Sequence, residues 1–106
     1  MARVLLNLPR SAAKGAVIEI RTLIMHPMES GFPPGMNGSI LPRDIITRFR
    51  CSYNGEEVFR AELSPAIAAN PFISFTTVAT ESGTLSFTWE GDNDFRQTET
   101  RDIAVT

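Results

Sequence analysis

Cysteine and histidine, two residue types that attack carbonyls or move protons near neutral pH, each occur once in this sequence, as Cys51 and His26. A reactive cysteine works as a thiolate, so it needs exposure and a positive neighbourhood. Cys51 stands in Phe49-Arg50-Cys51-Ser52-Tyr53. Strand alternation would put it on one face with Phe49 and Tyr53 and send Arg50 to the other. Free cysteine is among the most often buried residue types, so a core role is expected. His26 stands in Met25-His26-Pro27-Met28-Glu29-Ser30-Gly31. It could bind a ligand or carry a proton, with Glu29 to orient it. No serine, cysteine or second carboxylate stands at a spacing that completes such a site, which leaves loop structure and partner contact as its expected roles. Glu56-Glu57 reads as a solvated pair. Asp92-Asn93-Asp94 resembles part of a calcium loop, but the following glycine and the distal glutamate are missing, so a polar turn is expected. There is no phosphate-binding glycine motif and no GxSxG elbow. The residues predict no catalytic group, no cofactor and no metal site.

The elements that must position these residues show a period of two. In 45–53, Ile45, Thr47, Phe49, Cys51 and Tyr53 alternate with Ile46, Arg48, Arg50 and Ser52. In 84–90, Leu85, Phe87 and Trp89 alternate with Thr84, Ser86, Thr88 and Glu90. In 58–63, Phe59, Ala61 and Leu63 alternate with Val58, Arg60 and Glu62. Ile18, Ile20 and Ile24 oppose Glu19 and Arg21, and 72–79 is rich in Phe, Ile, Thr and Val. Such alternation predicts strands with one buried face. Asn54-Gly55 between two runs predicts a hairpin, because a type I′ turn needs positive φ at both central residues. Ser82-Gly83 separates two more runs. Ala66-Ile67-Ala68-Ala69, between Pro65 and Asn70-Pro71, is expected to make one helical turn crossing between sheets. The proline- and glycine-rich stretch 27–42 reads as a long loop. The expected strands lie near 3–8, 16–24, 44–53, 56–63, 72–79, 84–90 and 98–105. About seven short strands with frequent turn signals predict an all-β, immunoglobulin-like antiparallel β-sandwich, with a small barrel as the alternative.

Composition narrows the function. The length of 106 residues fits one domain, 1–106. One cysteine excludes an intramolecular disulfide and a cysteine-rich zinc site. Twelve acids against ten bases give a charge of −2, which argues against nucleic acid as a partner. No apolar run approaches the roughly 20 residues of a membrane span. The N-terminal stretch is broken by Asn7 and Pro9, so no signal peptide is expected.

Several segments in order carry a likeness: His26-Pro27-Met28-Glu29-Ser30-Gly31, Leu41-Pro42-Arg43-Asp44-Ile45-Ile46, Tyr53-Asn54-Gly55, Ala66-Ile67-Ala68-Ala69-Asn70-Pro71 and Ser82-Gly83-Thr84-Leu85-Ser86-Phe87-Thr88-Trp89. Their order and spacing resemble the SoxZ family from about residue 14 onward. The loop departs from the family at Phe32-Pro33-Pro34-Gly35-Met36, where more polar residues are usual. The resemblance implies an immunoglobulin-like sandwich that forms a heterodimer with SoxY, in the sulfur carrier of bacterial thiosulfate oxidation. It implies a non-catalytic role, with the sulfur on a cysteine of SoxY and with transient docking to other Sox enzymes. It further implies a periplasmic location reached by export with SoxY.

Such a partner needs a surface, and interface energy concentrates in aromatic, Met and Arg anchors. The expected contacts are Met25, His26, Met28, Phe32 and Met36 in the loop, with Arg43 and Arg48 as polar contacts. Outward residues of an edge strand are the alternative. Two competing functions are a stand-alone ligand-binding or adhesion sandwich, and an enzyme using Cys51 or His26.

Overall fold

The structure is a computed structural model that describes residues 1–31 and 42–106. Its described strands are β1 (Val4–Asn7), β2 (Ser11–Ala12), β3 (Val17–Ile24), β4 (Ile46–Tyr53), β5 (Glu56–Glu62), β6 (Phe72–Val78), β7 (Gly83–Gly91) and β8 (Arg96–Val105). They form a three-stranded sheet in the order β1-β3-β6 and a five-stranded sheet in the order β2-β8-β7-β4-β5. All pairings are antiparallel except β2 with β8. The result is an all-β sandwich, as the alternation predicts. The short β2 is an addition to the seven expected strands.

The inward rows meet between the sheets. Phe49, Phe87, Trp89 and Leu85 from the larger sheet face Ile18, Ile20, Ile24 and Phe75 from the smaller one, and all are buried. Phe49 is the hub: its ring centroid lies 5.1 Å from Trp89 and 6.0 Å from Phe75. Phe59 and Phe75 stack at 4.3 Å and join edge strand β5 to edge strand β6. Each such side chain contributes about 1.5–3 kcal/mol by leaving water. Thr22 takes the one polar place in the inward row of β3, and its hydroxyl donates to the Ile73 carbonyl at 3.0 Å.

The punctuation also takes the expected form. Asn54 and Gly55 have φ of 49° and 85°, as a type I′ hairpin between β4 and β5 requires. The Asn54 carboxamide then ties this turn to the next one: its Oδ1 accepts the Thr84 N–H at 2.9 Å. The Tyr53 hydroxyl accepts the Glu81 N–H at 3.2 Å and donates to the Glu81 carbonyl.

Two expectations are corrected. Alternation places Ile46 on the face opposite Ile45, yet both are buried. The register shifts between Ile46, opposite Gly91, and Arg48, opposite Glu90, so Thr47 is an extra residue in a bulge. A bulge re-aims the side chains that precede it. The second correction concerns 66–69, which forms no helical turn. A β-turn closes instead, with the Ile67 N–H on the Ser64 carbonyl at 3.0 Å. The segment does cross from the larger sheet to the smaller, as expected. Pro65 and Pro71 leave too few residues between them for a helix to repay its nucleation.

Candidate partner interface

Cys51 points inward on β4 between its strand neighbours Phe59 and Phe87, and its exposure is 0%. Burial pushes the thiol up to about 12. A thiol so placed has almost no thiolate at neutral pH and no path for a reagent.

His26 is built into a corner, with only 6% exposure. The Asn70 side chain accepts its N–H at 3.0 Å, and the Asn70 N–H donates to its carbonyl at 2.8 Å. Its Nδ1 accepts the Met28 N–H at 3.0 Å, so the ring proton sits on Nε2, 4.0 Å from Asp44. Phe95 meets the ring edge-on at 5.2 Å. These bonds hold Met28 at a φ of 50°, which an L-residue adopts at a cost of about 1 kcal/mol or more. Met28 is 5% exposed, and its sulfur accepts the Ile46 N–H at 3.2 Å. Glu29 and Asp44 exchange backbone hydrogen bonds at 2.7–2.8 Å. His26 and Met28 therefore seat the loop on the start of β4, inside the isolated chain.

Arg43 grips Asp92 with two hydrogen bonds of 2.9 Å, and the same carboxylate accepts the Ile45 N–H at 3.1 Å. The Arg43 hydrogen bond, then the Ile45 N–H, hold the Asp92 carboxyl below the usual carboxylate range. Asp92 thus does structural work in a turn rather than waiting for calcium. Arg48 pairs with Glu62 across β4 and β5 at 3.3 Å. Phe32 and Met36 lie outside the described residues. Among the described residues, no three His, Cys, Asp or Glu side chains gather as a metal ion would need.

The two outer sheet faces differ in chemistry. On the five-stranded sheet the charges satisfy one another: Arg50 bonds Glu90 at 2.8 Å and Arg96 lies 3.6 Å from the same carboxylate. Thr88 bonds Thr98 at 3.0 Å and Thr84 bonds Asp102 at 2.9 Å. On the three-stranded sheet apolar side chains face water. Leu5 is paired with Leu23, and Leu23 with Phe72, so one row crosses all three strands. Phe72 is 61% exposed, Leu5 48%, and Met25, next outward on the β3 side, 39%. Of the expected contacts among the described residues, Met25 joins this row, and Arg43 and Arg48 do not. Leu5 and Phe72 are not among the contacts expected from the sequence. The signal was present: with Leu6, Ile73 and Phe75 inward, alternation sends Leu5 and Phe72 out.

Fold and surface together define an all-β sandwich with its sole thiol sealed in the core and a row of exposed apolar side chains across the smaller sheet. The model of the family described as sulphur oxidation protein SoxZ matches residues 6–102. The chain belongs to the SoxZ family, and with it to the Sox system of sulfur oxidation. No curated protein sequence matches the chain. Among solved structures it is similar to the superoxide reductase (neelaredoxin) of Ignicoccus hospitalis, with a TM-score of 0.76 at 16% identity, covering 99% of this chain and 82% of that one. It is also similar to the sulfur carrier protein SoxY of Chlorobium limicola f thiosulfatophilum, with a TM-score of 0.67 at 13% identity, covering 97% and 78%. At such identities the likeness is one of fold.

Proposed function

We propose that this chain is the non-catalytic subunit of the SoxYZ sulfur carrier in bacterial thiosulfate oxidation. It binds SoxY as a heterodimer and helps present the sulfur intermediates that SoxY carries on a cysteine. Other Sox enzymes dock on the pair transiently. The family match over residues 6–102 carries this reading. The state of Cys51 supports it, because a carrier thiol must reach several active sites and this one reaches solvent nowhere. The pair works in the periplasm, to which SoxY brings this chain, and residues 1–106 act as one domain.

In this role the loop residues divide. His26 and Met28 brace the loop, and Met25 offers an apolar contact to SoxY. Arg43 and Arg48 are polar contacts at the partner interface. Arg48→Glu is expected to weaken SoxY binding severalfold in a variant that folds; unchanged affinity would remove Arg48 from this role.

Co-expression with the SoxY of the same organism tests the main reading. A heterodimer stable at micromolar concentration is expected, and separate elution of two folded chains would overturn the proposal. Cys51→Ala is expected to leave sulfur loading of the heterodimer intact. Loss of loading with fold and heterodimer preserved would overturn the core assignment.

A further inference from the structure

Resting on that reading, we infer that SoxY docks on strand β6 by adding a strand to its free edge and covering the apolar row beside it. Edge strands expose unpaired N–H and C=O groups, and proteins protect them with charge, proline, bulges or short length. Every other edge here carries such a device. β5 has Glu56, Glu57, Arg60 and Glu62 in seven residues, and its register shifts opposite Cys51 and Ser52, leaving Val58 as an extra residue. β1 is four residues long and β2 only two. β6 has none. Its seven residues, Phe-Ile-Ser-Phe-Thr-Thr-Val, contain no charge, proline or glycine. It pairs with β3 in unbroken register and has no second neighbour among the described residues. Such a segment left bare is an aggregation hazard, so a partner is the expected cover.

The surroundings of the edge fit an added strand. On the outer face, a groove of about 260 Å³ lies over β1 and β3 and reaches the edge strand at Phe72. On the inner side, a groove of about 320 Å³ lies between Val58 of β5 and Thr77 and Val78 of β6. A strand beside β6 would send alternate side chains into the inner groove and onto Phe72 on the outer side, and the rest of its partner would cover the groove over β1 and β3. Area points the same way. Three strands spaced about 4.8 Å apart and about 24 Å long make a flat face of roughly 350 Å². A stable dimer takes about 800 Å² from each partner. A partner on this face must therefore also run over an edge.

The fold likeness to SoxY argues for SoxY as that partner. A chain of the same architecture has an equivalent edge, and two equivalent edges can pair about an approximate two-fold axis. An uncharged strand with apolar residues on its outward side is the chemistry this edge selects. A second copy of this chain is the competing occupant.

The test uses Phe72→Glu combined with Thr76→Lys, both at exposed outward positions, with Thr76 opposite Glu19. Thr98→Lys on the other sheet is the control. Each protein is first shown to melt cooperatively near wild type. The wild-type chain must bind SoxY; if it does not, the functional reading fails rather than this one. The double variant is expected to weaken the heterodimer by about 100-fold or more, two anchor residues being lost, with the control within about twofold. Amides of residues 72–78 are expected to gain hydrogen-exchange protection on adding SoxY. Unchanged SoxY affinity in the folded double variant would overturn the inference. So would a wild-type self-dimer that the double variant abolishes while SoxY affinity stays the same, which would assign the edge to a second copy.

Discussion

At Cys51 the chemistry and the packing oppose one another, and packing wins. With its thiol pushed up to about 12, the thiolate fraction at pH 8 is on the order of one in ten thousand. Iodoacetamide at pH 8 is expected to modify the native protein at least about 100-fold more slowly than the urea-unfolded chain; equal rates would expose the thiol. This assignment was legible from alternation alone, because Phe49 and Tyr53 flank Cys51 at even spacing. His26 was not legible. What buries it is Asn70 and Phe95, which are distant in sequence and come close only through the fold. Asp92 gives a pH prediction at the same scale. Its carboxyl is held low in the folded chain, against about 3.9 when unfolded. The folded state therefore gains stability from Asp92 above that unfolded value and loses it as pH falls through the folded one. Urea midpoints should drop on acidification below about pH 4, and Asp92→Asn should flatten part of that drop. An identical acid limb in both proteins would count against the Arg43–Asp92 grip.

Among the elements, most strands were legible because they carry an inward row of apolar residues; β8 does so only at its end, in Ile103 and Val105. β2 was not legible, since two residues cannot show a period and its pairing is supplied by β8. The bulge at Thr47 was hidden for a similar reason. Its cause lies on the partner strand, where a Cβ on Gly91 would stand 2.3 Å from the Ile45 carbonyl oxygen and 2.8 Å from the Ile46 Cα. Those contacts are backbone, so they cannot swing aside. Gly91→Ala is expected to cost about 1–3 kcal/mol in urea denaturation, and a neutral effect would show that the bulge can relax. At the turns, Tyr53→Phe removes the hydroxyl that both accepts from and donates to Glu81. A loss of about 1–2 kcal/mol is expected in the same measurement.

For the molecule as a whole, the fold class and the family could be read from the sequence, but the arrangement of surfaces could not. Which outward residues stay bare depends on which strands stand at an edge, and strand order is a property of the assembled sheets. The N-terminal segment shows how far that assembly reaches. β1 belongs to the smaller sheet and β2 to the larger, so residues 4–12 link both. Ala2 is held at its N–H and its carbonyl by the Gln97 carboxamide, at 2.9 and 2.7 Å. Gln97→Ala should leave both groups unpaired, cost about 1–3 kcal/mol, and speed hydrogen exchange in β1; unchanged exchange would show that the clamp is idle. The same clamp sets an order of events at the ribosome. β1 can pair with β3 once both are made, but Ala2 and β2 have no resting place until β8, which supplies both Gln97 and the partner of β2, has emerged. Closure of the sandwich must then follow synthesis of β8 rather than accompany elongation.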